Sequence, residues 1–132
     1  MPPTKPSVLV VDDDPDSREI LWEYLTFVGF DVATAPDGET AIARAAELHP
    51  HVVLMDLALG GTMDGFEATR RIRAHPVLKN AVVIAVTARA FAKDQQQARH
   101  AGCHAVVIKP YDLTALAERI NRVVQQGGQA AS

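Results

Sequence analysis

Apolar residues fall into two alternating kinds of run: short unbroken blocks, and longer stretches in which they recur every three or four positions. The first block is Val8-Leu9-Val10-Val11, and behind it Asp14-Pro15 reads as an N-cap followed by proline at the first helical position. Ile20, Leu21, Tyr24, Leu25 and Val28 then recur on one helical face, which Gly29 is expected to end. Asp31–Ala35 predicts a short second strand, and Asp37-Gly38 precedes a helix whose Ala41, Ile42, Ala45 and Leu48 share a stripe before Pro50 stops it. Val52-Val53-Leu54-Met55 has no polar alternation, the pattern of a central parallel strand covered on both faces, so it should be among the most buried.

A Gly60-Gly61-Thr62 loop comes next, then a helix carrying Phe66, Ala68, Thr69 and Ile72 and ended by His75-Pro76. Val82-Val83-Ile84-Ala85-Val86 is a fourth, wholly apolar strand. Residues 90–101 read as the least strongly patterned helix, with Lys93 to Gln97 as its polar side and Gly102 as its stop. The last strand, Ala105–Ile108, runs through a Lys109-Pro110 turn into an amphipathic helix with Leu113, Leu116, Ile120, Val123 and Val124 facing inward. Five strands alternating with five helices imply a doubly wound α/β sandwich.

In an open parallel sheet, ligands bind outside the carboxyl ends of the strands. Four of the five strands end in a residue able to handle a phosphoryl group: Asp12-Asp13-Asp14, Asp56, Thr87 and Lys109. Drawing aspartates together is costly, since two unit charges ~4 Å apart repel by about 4 kcal/mol at an effective dielectric of 20. Capping explains Asp14 better than it explains all three. A divalent cation explains the rest, because Mg²⁺ is held by one or two carboxylates, waters and phosphate oxygens, and Asp12, Asp13 and Asp56 supply that kind of open site.

Asp56 lies between Met55 and Leu57, neighbours that argue against a solvated loop acid. Beside a cation it would stay ionised and could attack phosphorus, giving an acyl phosphate. Lys109 would neutralise charge on the phosphoryl oxygens, the Thr87 hydroxyl could donate to one of them, and Ala88 leaves room beside it. A lone lysine or threonine at a strand end would carry no such weight; the joint arrangement does. The histidines are given no chemistry: Gly102 separates His100 from His104, while His49, His51 and His75 flank prolines at helix ends, where capping or solvation suffices.

The remaining composition narrows the class. With 132 residues, 48% hydrophobic and 22% charged, the chain suits one packed domain without room for a catalytic or DNA-binding partner domain. The formal net charge is -3 and no Lys/Arg stripe is present, so direct nucleic-acid binding is not expected. A lone Cys103 without metal-type spacing reads as a small apolar residue in a reducing compartment. No apolar stretch resembles a signal peptide or a membrane span, which makes the cytoplasm the expected address. Residues 1–6 are expected to form a disordered lead and 127–132 a flexible tail.

Taken together, Val10-Val11-Asp12-Asp13, Met55-Asp56-Leu57, Met63-Asp64-Gly65, Val86-Thr87-Ala88 and Lys109-Pro110 resemble the receiver domain of two-component response regulators, over 7–126. The resemblance implies a flavodoxin-like sheet of strand order 2-1-3-4-5. It implies Asp56 as phosphoacceptor, taking its phosphoryl group from a histidine of a sensor kinase or phosphotransfer protein. It further implies Mg²⁺ bound by Asp13, Asp56 and the main-chain carbonyl of Ala58, with Asp12 acting through water, and a switch in which Thr87 and Lys109 move toward the phosphoryl group. The signal would leave through the fourth helix, fifth strand and fifth helix, toward a separate effector protein or a second copy in a homodimer.

The chain departs from the family pattern at two places. Leu59-Gly60-Gly61-Thr62 replaces the common Met-Pro and adds one residue before Met63-Asp64-Gly65. Val106 stands where the family often has a Tyr or Phe that turns inward on activation, leaving Tyr111 and Phe91 as the nearby aromatics. Two other readings remain open: a receiver-like scaffold that signals without phosphate, and an aspartate-nucleophile phosphohydrolase. The second normally carries another acid two residues after its nucleophile, where this chain has Ala58.

Overall fold

The computed structural model describes residues 5–88 and 91–130, with side chains given through 126. Its elements, in chain order, are β1 (Ser7–Val11), α1 (Pro15–Phe27), β2 (Asp31–Ala35), α2 (Gly38–Leu48), β3 (Val52–Asp56), α3 (Gly65–Ala74), β4 (Val82–Thr87), α4 (Ala92–Ala101), β5 (Ala105–Ile108) and α5 (Leu113–Ala130). The strands form one parallel sheet in the order β2-β1-β3-β4-β5. This is the doubly wound arrangement expected from the alternation.

Side chains alternate across each strand, so every strand serves two cores. Leu9 and Val11 of β1 join Val53 and Met55 of β3 in a cluster with Ala41, Ala45, Phe66 and Ile72, beneath α2, α3 and α4. Val8, Val10, Val52 and Leu54 face the other way, onto Leu21, Leu25, Leu116 and Ile120 of α1 and α5. All five residues of β3 are buried, as the unbroken apolar run foretold. The expected stops also hold: Gly29 and Gly102 take φ +108° and +113°, and Asp14 caps α1 ahead of Pro15. At the sheet's amino end, His51 Nδ1 accepts from Ser7 N at 3.0 Å and His104 Nδ1 from Val83 N at 3.2 Å, bonds that tie adjacent strands together.

Several expectations need correction. Ile20 and Val28 are exposed, since the buried stripe of α1 is narrow and centres on Leu21 and Leu25; Leu48 of α2 is likewise exposed beyond Ala41 and Ala45. Helical backbone in α5 continues to Ala130, past the point where a tail was expected from 127. The first four residues of the expected lead, Ala90 at the expected start of α4, and residues 131–132 lie outside the described residues. Cys103 is buried, its thiol is pushed up chiefly by burial, and it donates to Thr69 Oγ1 at 3.8 Å, in keeping with a core residue. Among the described residues, no helix is long and apolar enough to cross a membrane.

Leu25 is fully buried while Ile20, five residues earlier and on another side of the helix, is 54% exposed. Leu25→Ala should therefore cost about 2–5 kcal/mol of unfolding free energy, and Ile20→Ala less than about 0.5 kcal/mol. Urea denaturation of both variants checks the contrast; equal losses would contradict this assignment of the α1 face.

Candidate functional site

Pairing Val11 with Met55 brings the next residues, Asp12 and Asp56, level at the carboxyl ends of adjacent strands. Both continue the parity of Val8, Val10, Val52 and Leu54, and Lys109 continues that of Ala105 and Val107. Three polar side chains thus leave three strands toward the same side. Carboxylate oxygens of Asp12, Asp13 and Asp56 lie within 4.8 Å of one another, and Lys109 Nζ is 3.3 Å from Asp56 Oδ2.

Asp14 takes no part in this group. Its side chain accepts from Asp16 N and the Ser17 hydroxyl, which lower its pKa and commit it to the start of α1. The acidic triplet divides as its positions suggest, with two carboxylates for the cleft and one for the helix.

Each cleft carboxylate is held by a backbone amide. Asp14 N donates to Asp12 Oδ1 at 2.9 Å, Ala58 N to Asp56 Oδ1 at 2.9 Å, and Gly60 N to Asp13 Oδ2 at 3.0 Å. Asp12 and Asp56 are buried, whereas Asp13 is exposed. Burial pushes the Asp12 carboxyl above its ordinary range; Asp56 and Asp13 add to the rise, while the Asp14 amide and Lys109 oppose it. At an effective dielectric of 20, each carboxylate pair this close repels by about 3 kcal/mol or more. A hard cation is the natural neutraliser for such oxygen donors, so the residues present fit Mg²⁺.

Thr87 is buried at the end of β4, and its carbonyl accepts from Lys109 N at 2.8 Å, just before the cis Lys109–Pro110 peptide. Ala88 beside it is exposed. Val106 pairs with Ala85 and packs half-buried on the α3–α4 side of the sheet. Tyr111 is half-buried in the opposite core, and its phenol is pushed up first by burial and then by Asp12 and Asp56. Phe91 is 73% exposed at the start of α4.

Three contributors were not singled out in the sequence. The Arg18 guanidinium donates to the Asp12 carbonyl at 2.7 Å, bracing the end of β1. No motif announces it. Gly65 packs so closely on the Asp56 carbonyl and Leu57 Cα that a Cβ there would clash with backbone; its place in Met63-Asp64-Gly65 was the available signal, and Asp64 caps α3 through Glu67 N. The Gly60 amide is the third.

The chain matches the response regulator receiver domain over residues 8–121, and it belongs to that family. Members are signalling switches of two-component systems, in which phosphorylation and Mg²⁺ binding in an acidic cleft are general. Regulatory protein AtoC of Escherichia coli K12 is 35% identical over 125 residues, 95% of this chain and 26% of AtoC. Chemotaxis response regulator CheY4 of Vibrio cholerae superposes with a TM-score of 0.85 at 28% identity, covering 91% of this chain and 99% of that one. The receiver domain of sensor histidine kinase PA1611 from Pseudomonas aeruginosa PAO1, which has a magnesium ion coordinated in its active-site cleft, gives 0.84 at 29% identity over 92% and 98%. The chain spans about a quarter to a half of the length of the first curated relatives it matches.

Because the Asp12 carboxyl is raised, its ionisation is less favourable in the folded chain than in the unfolded one. Without a cation, that penalty is absent below the ordinary carboxyl value, grows as pH rises through the raised one, and is complete above it. Asp12→Asn should raise the melting temperature in chelator at pH 7, by roughly 4 °C per 1 kcal/mol of penalty relieved, and leave it unchanged near pH 3. A lower melting temperature at pH 7 would contradict the account.

Proposed function

We propose that this chain is a phosphorylatable receiver in which Asp56 accepts a phosphoryl group from a phosphohistidine and the modified state changes which protein the domain binds. The observation that carries the proposal is the state of Asp56. The residue is 6% exposed, one carboxylate oxygen is fixed by Ala58 N and the other faces Lys109 Nζ, and the carboxylates of Asp12 and Asp13 stand beside it.

Asp13, Asp56 and the Ala58 carbonyl would hold Mg²⁺ directly and Asp12 through water. When bound, the cation neutralises charge on the phosphoryl oxygens. Asp56 supplies the nucleophile: a carboxylate oxygen forms a bond to phosphorus as the phosphorus–nitrogen bond of the donor breaks, and the electron pair returns to the imidazole, which takes up a proton from solvent. Lys109, already 3.3 Å from that carboxylate, compensates the charge left on the phosphoryl oxygens. The Thr87 hydroxyl donates to one of them, and exposed Ala88 leaves the approach open. Thr87 and Lys109 closing on the phosphoryl group constitute the switch, with Val106 in the aromatic's place.

The proposed donor is a sensor histidine kinase or phosphotransfer protein, and the proposed reader a separate effector or a second copy of this chain. Stand-alone, cytoplasmic action without direct contact to nucleic acid belongs to the same reading. The phosphohydrolase alternative is not favoured: the second acid it needs is replaced by Ala58, which lies beside the acceptor and offers only main-chain groups.

A small phosphodonor such as acetyl phosphate should label the protein stoichiometrically in Mg²⁺ but not in chelator, as read by intact mass, and Asp56→Asn should abolish labelling. Turnover of a phosphate monoester should stay at background. Label retained in Asp56→Asn would reject the acceptor assignment, and sustained hydrolysis would favour the enzyme reading.

A further inference from the structure

Two of the three cleft carboxylates are held locally, Asp12 by Asp14 N and Asp56 by Ala58 N, each two residues further along the chain. Asp13 is held from a distance: its donor, Gly60, is 47 residues away in the loop between β3 and α3. Among the described residues this is the one hydrogen bond that the Asp13 side chain accepts, and Asp13 is the exposed member of the group.

The loop that supplies the donor is anchored on both sides of it. Leu59 is buried in the core, the Thr62 hydroxyl donates to Glu39 Oε1 at 2.6 Å, and Met63 packs where a Cβ on Gly38 would fall 2.9 Å from its Sδ. Gly61 turns the chain at φ +90°, but Gly60 is outside the left-handed region, so its backbone would suit other residues. A side chain would crowd the acceptor, because a Cβ on Gly60 would stand 3.2 Å from Asp13 Oδ2 and the carboxylate would have to give by a few tenths of an ångström.

We propose that Gly60 is a positioning residue for Asp13: its amide occupies one carboxylate oxygen, turns the other toward the cation, and so makes Mg²⁺ affinity depend on the conformation of the longer β3–α3 loop. This rests on the reading of the cluster as a Mg²⁺ site. A hydrogen bond from the surroundings of a metal site restricts the ligand's rotamers before the metal arrives, and losing one commonly weakens metal binding by about tenfold or more.

The test is calorimetric titration of the full chain with Mg²⁺, alongside amide spectra of ¹⁵N-labelled protein. Gly60→Pro, which has no amide hydrogen, should bind Mg²⁺ about tenfold more weakly, while Asp56 labelling by acetyl phosphate returns at saturating Mg²⁺. Gly60→Ala keeps the donor but crowds the acceptor, and should fall between Gly60→Pro and wild type. Wild-type affinity in Gly60→Pro would overturn the proposal. Should that variant fail to fold, the metal-free Gly60 amide resonance decides: it should move upfield in Asp13→Ala, and an unmoved resonance overturns the proposal. A wild-type chain that binds no Mg²⁺ would instead reject the cation site, a result separable from the amide shift, which is read without cation.

Discussion

Mutual repulsion among carboxylates gathered at the tips of adjacent parallel strands is the constraint that the rest of the molecule answers. A flexible chain would relieve it by letting the side chains swing apart. Here the strands fix where Asp12 and Asp56 begin, since their Cα positions follow from the pairing of Val11 with Met55. Backbone amides fix where the carboxylates end, and Lys109 lies against one of them. Burial first, and the neighbouring carboxylates after it, keep the Asp12 carboxyl raised, a cost that the two apolar cores absorb.

The sandwich is suited to that task because β3 carries the central carboxylate and is buried along its whole length. Shifting Asp56 would mean sliding a strand packed against helices on both faces, and Gly65 resting on the Asp56 carbonyl tightens the fit further. Rigidity at the acceptor contrasts with the exposed position of Asp13, whose placement depends on a neighbouring loop.

Most of the fold was legible because its signals are local. Unbroken apolar runs marked the strands, Asp14-Pro15 and Gly102 marked helix ends, and the strand-end residues announced the cleft. Periodicity overreached at Ile20, Val28 and Leu48: an apolar residue near the edge of a helical stripe looks the same in sequence whether or not a neighbour covers it. Bonds made by main-chain atoms were equally hidden. The Gly60 amide and the Asp12 carbonyl under Arg18 leave no trace in residue type, because every non-proline residue carries the same backbone groups.

The bond from Lys109 N to the Thr87 carbonyl joins two strand tips at the edge of the cleft. Seen as a linkage, it extends the pairing of Thr87 with Ile108 by one more bond of 2.8 Å, so the ammonium arm and the hydroxyl arm spring from one tied piece of backbone. If the two side chains form the proposed switch, such a tie would favour an all-or-none gesture over two independent ones.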